Sequence, residues 1–254
     1  MKKQEIIAQA RQGFDGKLHT DEYRKIHSDQ AHLEALMGFL DIQPGKHYLD
    51  LGTGNGYLAF EMARRFPEIF ITGVDIATNS IRADQQLQQE RNIKNLEFME
   101  YDGGRLPVGD SAYWGIISRY AFHHFPDPAA SVCDLYRIME PCAAPCGQGF
   151  VIFSDPITYD DDTGNFIDHF QQLKKDGHVH FYRQGELDDL FQQNGFRKQK
   201  QFFTKITYPR DMNKAYQRLF ERTPASILKE YEINIGESSV QITVTVRNVM
   251  YRKV

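Results

Sequence analysis

The chain has 254 residues, of which 41% are hydrophobic and 25% charged, values typical of a water-soluble globular protein with a sizeable core. Its net charge of −4 disfavours a broad nucleic-acid-binding surface. The sequence contains no run of about 18 apolar residues, and the opening MKKQEIIAQARQ lacks the apolar stretch of a secretory signal. Three cysteines are too few for a disulfide framework. We therefore expect a cytoplasmic protein that neither spans a membrane nor binds nucleic acid.

The first 44 residues are predicted to be helical. Residues 1–20 are polar and contain Gly13 and Gly16, which indicates a short helix followed by a mobile loop. Ser28 is predicted to cap a second helix that ends at Pro44-Gly45. The apolar face of this helix is indicated by residues at helical spacing, namely Leu33, Leu36, Met37 and Leu40.

Strands and helices alternate through the middle of the chain. The predicted strands span residues 47–51, 70–75, 96–102, 114–118 and 149–155. The predicted helices span residues 57–66, 79–92 and 128–140. Because these strands are apolar without alternation, we expect a parallel sheet that is covered by helices on both faces.

The last third of the chain is more polar. We predict a core helix at residues 185–194, a core strand at residues 197–208 and an inserted helix at residues 211–232. A last strand follows, in which Ile242, Val244 and Val246 alternate as in an antiparallel edge strand. We interpret the chain as one domain, with its cofactor-binding core at residues 45–155. The insertions are expected to form a helical lid over the carboxyl edge of the sheet; they span residues 156–182 and 209–235.

A glycine-rich turn, within YLDLGTGNGYLAF at residues 48–60, links the first strand to the next helix. Glycines at positions 52, 54 and 56 permit positive φ and a close backbone approach, and the helix N-terminus offers free N–H donors. The dinucleotide pattern G-x-G-x-x-G would need a glycine in place of Tyr57, and the Gly-Lys-Ser/Thr of a phosphate-binding P-loop is absent. The turn therefore predicts a nucleotide-like ligand of another kind.

Acidic residues accompany this turn and the ends of the next two strands. Asp50 lies in the first strand, Asp75 ends the second and Asp102 ends the third. At such a position, Asp75 can accept hydrogen bonds from both hydroxyls of a ribose, and Asp102 can accept one from an adenine amino group. Ile76 can pack on the adenine ring. A turn with this negative charge suits a cationic, phosphate-free nucleoside.

With these residues, the sequence resembles the class I S-adenosylmethionine-dependent methyltransferases, and more closely their small-molecule branch, called type 11. The D-x-G-x-G-x-G pattern and the two later acidic residues cover residues 45–155, whereas the C-terminal third matches only in layout. The resemblance implies a Rossmann-like sheet of seven strands, six parallel and the last antiparallel. It also implies S-adenosylmethionine as methyl donor and a cofactor-binding set consisting of Asp50, Gly52, Thr53, Gly54, Gly56, Asp75, Ile76, Asp102, Gly103 and Arg119.

The loop after the fourth strand reads SRYAFHHFPDP and resembles the family pattern HH-aromatic-x-D at His123, His124, Phe125 and Asp127. Either histidine could accept a proton from the acceptor or position it, since neutral imidazole is the natural base near pH 7. The pair could equally line the cofactor pocket without taking part in chemistry. Methyl transfer needs little side-chain chemistry, because the sulfonium is already activated.

Other residues of this region are candidates for contact with the acceptor, namely Tyr120, His178 and Tyr208. Arg119 and Tyr120 could anchor an anionic substrate or pack locally. His178 and His180 could alternate on a strand and reach the site, or bind nothing.

We predict no metal site. The run Asp160-Asp161-Asp162 is expected to be solvated, as charge runs in insertions usually are. Cys142 and Cys146 share one loop, and the only other cysteine is Cys133, a spacing that does not make a zinc site. That loop is longer than its usual family form, LKPGG.

The predicted function is methyl transfer from S-adenosylmethionine to a small-molecule acceptor of unknown identity, leaving S-adenosylhomocysteine. One alternative is a non-catalytic sensor or scaffold that binds S-adenosylmethionine. Another is a nicotinamide-dependent oxidoreductase, which the position of Tyr57 disfavours. A nucleic-acid or protein methyltransferase is disfavoured by the net acidity. The expected partner is the acceptor itself, and we also consider that the chain forms a homodimer.

Overall fold

The computed structural model describes residues 3–15, 17–21, 23, 29–141 and 149–254. Its centre is a mixed sheet whose strands are β1 (His47–Leu51), β2 (Phe70–Asp75), β3 (Leu96–Glu100), β4 (Gly115–Arg119), β5 (Phe150–Pro156), β6 (Phe196–Asp211), β7 (Asn234–Ile235) and β8 (Ser239–Lys253). In space the strands follow the order β3-β2-β1-β4-β5-β8-β6, and β7 pairs with β8.

The helices of the described residues flank this sheet. They are α1 (Lys3–Phe14), α2 (Gln30–Phe39), α3 (Tyr57–Arg65), α4 (Thr78–Glu90), α5 (Pro128–Ile138), α6 (Phe166–Gln172), α7 (Gln184–Gln193), α8 (Lys214–Arg222) and α9 (Ala225–Glu230). A single 3₁₀ turn spans Phe122–His124. None of these helices is both long and apolar enough to cross a membrane.

The strand directions confirm the predicted Rossmann-like sheet. Strands β1 to β5 pair in parallel, and β8 is antiparallel to both β5 and β6. Strand β6 therefore runs in the same direction as β1 to β5, so these six strands share one direction and β8 has the opposite one. The two-residue strand β7 is an eighth strand that the prediction lacked.

The prediction that the last strand lies at the edge is wrong, because β8 lies between β5 and β6. The alternation at residues 242–246 belongs to the first half of β8, whereas residues 246–251 are all buried. The edge prediction rested on this alternation, whereas the second half of the strand includes two buried polar residues, Arg247 and Asn248. The guanidinium of Arg247 is satisfied internally, by the Asp188 carboxylate at 2.8 Å and the Gln201 side chain at 2.7 Å.

The core forms two layers, one on each face of the sheet. Leu49, Ile116 and Val151 belong to one cluster, with apolar residues of α5 and α7. Their immediate neighbours Tyr48, Ile117 and Ile152 belong to the other cluster, with residues of α2, α3 and α4. Since successive side chains of a strand point to opposite faces, this arrangement explains why the central strands are apolar without alternation.

The helix boundaries differ from prediction at two places. Ser28 lies outside the described residues, and the cap of α2 is the next residue, Asp29, whose carboxylate accepts the N–H groups of Ala31 and His32. The inserted helix predicted at residues 211–232 is instead two helices, α8 and α9. Pro224 separates them, because proline disfavours helical backbone in the residue before it.

The acidic run in the first insertion is only partly solvated. Asp160 and Asp161 are exposed, as predicted, but Asp162 is 1% exposed. Its carboxylate accepts the backbone N–H of Phe166 at 2.7 Å and the hydroxyl of Tyr231 at 2.9 Å. Asp162 therefore caps α6 and joins the two insertions, which the expectation of a solvated run missed.

The two insertions pack together on a long hairpin. Strand β5 ends opposite Val246, so residues 239–245 of β8, and the part of β6 paired with them, extend beyond the carboxyl end of β5. Helices α6, α8 and α9 cover this extension in a third apolar cluster that includes Phe170, Phe220 and Ile242. The hairpin thereby brings residues of β6 to the edge where the glycine-rich turn lies.

Candidate active site

The glycine-rich turn follows β1 and leads into α3. Gly52, Gly54 and Gly56 have φ values of 76°, 62° and 68°, a region that favours glycine. A Cβ atom on Gly52 would lie 2.3 Å from the Cβ of Ala121, so the loop that contains Ala121 can come this close only because residue 52 is glycine. A Cβ atom on Gly54 would meet only Leu18, at 3.8 Å. The turn therefore presents open space at Gly54.

Opposite charges lie beneath this turn. Asp50 is buried and accepts the hydroxyl of Thr53 at 2.7 Å. Burial raises the pKa of Asp50 to about 6, although the Thr53 hydrogen bond and the Arg119 guanidinium act in the other direction. Arg119 lies over the rings of Tyr57 and Tyr120, at 5.6 and 4.3 Å from their centroids. The site thus has a carboxylate and a guanidinium within one wall.

Asp75 connects β2 to the turn. One oxygen of its carboxylate accepts the N–H of Gly54 and the other that of Ala77, both at 2.9 Å. Burial raises the pKa of Asp75, against the effect of these hydrogen bonds. A carboxylate has about four lone-pair sites, so Asp75 keeps acceptor capacity for a ligand.

A cavity of about 980 Å³, part of it open to solvent, lies against these residues; we refer to it as the first cavity. Of the predicted cofactor-binding residues, all except Gly56 and Asp102 line it. Gly56 precedes α3, where a Cβ atom would lie 2.7 Å from Phe60. Asp102 is exposed, and its carboxylate accepts the N–H of Gly104 at 2.8 Å. The adenine contact assigned to Asp102 stays a prediction.

The N-terminal helix covers the first cavity, which the sequence analysis missed. Ile7, Ala10 and Phe14 of α1 line the cavity. Arg11 donates to the carbonyl of Ile76 at 3.0 Å, which ties α1 to the end of β2. Ile7, Ala10 and Phe14 are spaced as on one face of a helix, and this spacing could have indicated from the sequence that α1 packs against the rest of the protein.

A second cavity, of about 380 Å³, adjoins the first. The residues common to both walls are Phe14, Tyr23, Tyr120 and His124. The three predicted acceptor contacts, Tyr120, His178 and Tyr208, all line the second cavity, and His123 lines it as well. Sequence reasoning therefore selected residues that the fold brings together from β4, the first insertion and β6.

His123 is held by a buried aspartate at the end of β5. Its ring Nδ1 lies 2.7 Å from Asp155 Oδ1, and its backbone N–H donates to Asp155 Oδ2 at 3.1 Å. Burial and the neighbouring His178 keep the pKa of His123 well below its ordinary value, and burial raises the pKa of Asp155 to about 7. Asp155 was not predicted, although it follows the rule that selected Asp75, an acidic residue at a strand end.

His124 lies where the two cavities meet. Its ring packs against Phe14 and His123, with centroids 4.9 and 4.2 Å apart. Its Nδ1 is buried and has no hydrogen-bond partner among the described residues. Burial and His123 keep the pKa of His124 well below its ordinary value. His124 therefore carries a buried ring nitrogen to which no described residue hydrogen-bonds.

His178 and His180 share one carboxylate. They approach the two oxygens of Asp168 at 2.8 and 2.6 Å, from a segment that is not a strand. Burial opposes the shift, but hydrogen bonds from both histidines hold the pKa of Asp168 below its ordinary value. Only His178 lines the second cavity. We interpret Asp168 as the residue that fixes this segment beside His123.

Tyr120 has a strained backbone at the junction of the cavities. Its φ is 56°, which is uncommon for a residue other than glycine, and its N–H donates to the Ser154 carbonyl at 2.9 Å. Strain of this kind clusters at functional sites. Burial raises the pKa of Tyr120 to about 12.

Within the described residues, no three His, Cys, Asp or Glu side chains are grouped so as to hold a metal ion. Cys133 is exposed and unbridged, whereas Cys142 and Cys146 lie outside the described residues.

A family model described as a methyltransferase domain matches residues 42–223. The chain belongs to the class I S-adenosylmethionine-dependent methyltransferases. It is 23% identical over 181 residues to YcgJ of Bacillus subtilis, an uncharacterized methyltransferase, across 71% of this chain and 68% of that protein. It is 30% identical over 96 residues to demethylmenaquinone methyltransferase of Thermus thermophilus, across 38% of this chain and 43% of that protein.

The solved structure of the Bacillus subtilis YcgJ protein superposes on this methyltransferase with a TM-score of 0.76. The match has 18% sequence identity and covers 89% of this chain and 99% of the other. This similarity confirms the Rossmann-like methyltransferase fold. Membership of the family does not support the nicotinamide-dependent alternative.

Proposed function

We propose that this methyltransferase transfers a methyl group from S-adenosylmethionine, bound in the first cavity, to a small-molecule acceptor bound in the second. The observation that carries the proposal is the shared wall of the two cavities, where Tyr120 and His124 face both. An acceptor in the second cavity would reach the first at this wall. A cytoplasmic location and a homodimer stay predictions.

The residues of the first cavity suit a zwitterionic sulfonium nucleoside. Asp50 and Arg119 offer one charge of each sign, which matches an amino acid moiety. The open space at Gly54 leaves room for the ligand backbone, and Asp75 keeps lone pairs for ribose hydroxyls. Ile76, which also lines the cavity, supplies an apolar surface for the base.

S-adenosylmethionine supplies a methyl group that its sulfonium already activates, so alignment is the main task of the protein. Positioning accounts for about 7–11 kcal/mol of a barrier, whereas a general base contributes roughly 10²–10⁴-fold. We infer that Tyr120, His123 and His124 position the acceptor, and that the unpaired Nδ1 of His124 can take its proton. Asp155 acts through His123 and is a positioning residue.

We further propose that α1 and the two insertions act as the lid. Gly13 of α1 packs so closely on the first insertion that a Cβ atom there would lie 2.8 Å from Asp176. Phe14 lines both cavities. This contact would let one movement cover donor and acceptor together and exclude water from both.

Calorimetric titration with S-adenosylmethionine, S-adenosylhomocysteine and NADH tests the proposed function. We expect one-to-one binding of both adenosyl ligands and none of NADH. Binding of S-adenosylhomocysteine without S-adenosylmethionine would favour the sensor alternative. Binding of NADH without either adenosyl ligand would overturn the proposal.

The two histidines are tested with the double variant His123→Ala/His124→Ala. His124 also lines the first cavity, but none of the proposed cofactor contacts is made by either histidine. We therefore expect affinity for S-adenosylhomocysteine to stay nearly unchanged while methylation of an acceptor found by screening slows. Loss of cofactor affinity would instead make both histidines walls of the cofactor site.

A further inference from the structure

The wall of the second cavity includes side chains that carry unsatisfied polar atoms, as judged from the described residues. Buried side-chain atoms normally have hydrogen-bond partners, so each exception needs an explanation. Four side chains that line this cavity each carry a buried polar atom with no partner among the described residues. Two of these atoms are donors and belong to Gln171 and Arg210, and the other two belong to His124 and Asp176.

Arg210 is a cation without a carboxylate partner in the described part of the chain. It donates to the carbonyl of Pro209 at 2.8 Å and to the side-chain oxygen of Gln171 at 3.2 Å, and its Nε has no partner. The other cation in the wall, Lys174, lies 2.6 Å from the Asp176 carboxylate. The guanidinium also lies over the Tyr208 ring, 5.2 Å from its centroid, so of the two cations in this wall Arg210 is the one that no described carboxylate neutralises.

Gln171 adds a second donor beside this guanidinium. Its side-chain oxygen accepts from Arg210, which turns its amide nitrogen away from the guanidinium, and that buried nitrogen has no partner. Gln171 is 6% exposed, so water does not readily satisfy it from bulk solvent. Among the described residues, the wall thus holds two buried donors without partners, one of them on a charged group, and a carboxylate supplies acceptor oxygens for such donors.

His124 and Asp176 offer acceptors instead of donors. One carboxylate oxygen of Asp176 is paired with Lys174, and the other, Oδ1, is buried without a partner. Nδ1 of His124 is likewise buried without a partner among the described residues, and His124 also lines the first cavity. These atoms suit a hydroxyl that donates a hydrogen bond at the wall where the methyl group would arrive.

Aromatic rings supply much of the remaining wall. Phe14, Tyr120, Phe181 and Tyr208 line the second cavity. Flat rings of this kind pack well against a planar ligand.

We propose that the acceptor is a small aromatic hydroxy acid, whose carboxylate binds Arg210 and Gln171 and whose hydroxyl is methylated beside His124. This inference rests on the proposed function. In the reaction, the hydroxyl oxygen forms a bond to the methyl carbon, and the bond from that carbon to sulfur breaks. The electron pair of that bond stays on sulfur, and the hydroxyl proton passes to Nδ1 of His124. The products are a methyl ether and S-adenosylhomocysteine.

The test compares two probes that differ in charge, para-hydroxybenzoate and para-hydroxybenzamide, by calorimetry on protein saturated with S-adenosylhomocysteine. We expect the acid to bind roughly 10- to 100-fold more tightly than the amide, the range for a hydrogen bond to a charged group. Arg210→Gln should remove this preference. The matched control Arg218→Gln removes the same charge from an exposed position of α8 and should keep the preference.

Gln171→Glu provides an independent variant of nearly unchanged size. Its carboxylate would pair with Arg210 and repel the acid, so the preference should again disappear. Three results would overturn the inference. They are tighter binding of the amide than of the acid, a preference for the acid that persists in both Arg210→Gln and Gln171→Glu, and no binding of the acid at millimolar concentration. Titration with S-adenosylhomocysteine comes first. Failure at that step counts against the proposed function, whereas failure only with the acid counts against the acceptor class.

Discussion

Replacing Gly52 and replacing Gly54 by alanine should have different effects on stability and on ligand affinity. Both residues have positive φ, 76° and 62°, and both line the first cavity. A Cβ atom at residue 52 would lie 2.3 Å from the Cβ of Ala121, whereas one at residue 54 would have only Leu18 nearby, at 3.8 Å. The pair therefore separates backbone strain, which both share, from a steric clash, which only one has.

The expected loss of stability follows from these contacts. Left-handed backbone costs a residue with a side chain about 1–2 kcal/mol, and overpacking adds about 1–3 kcal/mol. Gly52→Ala should therefore lower the free energy of unfolding by about 2–5 kcal/mol, against about 1–2 kcal/mol for Gly54→Ala. The alanine methyl at residue 54 would occupy open space in the cavity, so this variant should bind S-adenosylhomocysteine more weakly while remaining the more stable of the two.

Urea unfolding of both variants measures the loss of unfolding free energy, and calorimetry with S-adenosylhomocysteine measures the change in ligand affinity. Equal losses of unfolding free energy would show that the Ala121 loop moves aside and that strain alone acts at both positions. A larger loss for Gly54→Ala would refute the steric reasoning. Unchanged ligand affinity in Gly54→Ala would refute the placement of the ligand against the turn.

Three further predictions concern single carboxylates. Asp75→Ala should abolish cofactor binding in calorimetry, because it removes the acceptor proposed for the ribose hydroxyls. Asp102→Ala should weaken binding by the loss of the single hydrogen bond predicted to the adenine amino group; unchanged affinity would remove Asp102 from the adenine site. Burial raises the pKa of Asp50 to about 6, so affinity for the cationic donor should fall as pH drops through that value, and a pH series on Asp50→Asn should be flat. Asp162→Ala should lower the free energy of unfolding in urea by about 2–4 kcal/mol, because it removes a helix cap and the acceptor of the Tyr231 hydroxyl hydrogen bond. Asp160→Ala should match the wild type, and similar values for the two variants would contradict the capping role.

Local patterns predicted the cofactor side of this methyltransferase well. Strand, turn and helix at residues 47–65 follow one another in sequence, and the geometry of the turn depends on its own glycines. Asp75 was predictable for the same reason, because a strand end delivers its side chain to the edge where the turn lies. Such signals require no knowledge of distant contacts.

The acceptor side depends on residues far apart in the chain. Arg210 reaches the second cavity only because β6 and β8 extend beyond β5. That no carboxylate of the described residues pairs with it is a property of the folded surroundings. Likewise, Arg247 and Asp162 look like surface residues in sequence, yet both are buried, since partners supplied by other segments satisfy their charges.

The sequence by itself determined the alternating parallel core, the glycine-rich turn and the acidic residues at the strand ends, because hydrophobic periodicity and backbone conformation are local properties. Only the tertiary structure decided that α1 covers the first cavity and that β8 lies inside the sheet. It also decided that four side chains of one cavity wall carry polar atoms with no partner in the described part of the chain. Burial and hydrogen-bond satisfaction depend on which distant segments meet, and the spacing of residues along the chain does not carry that information.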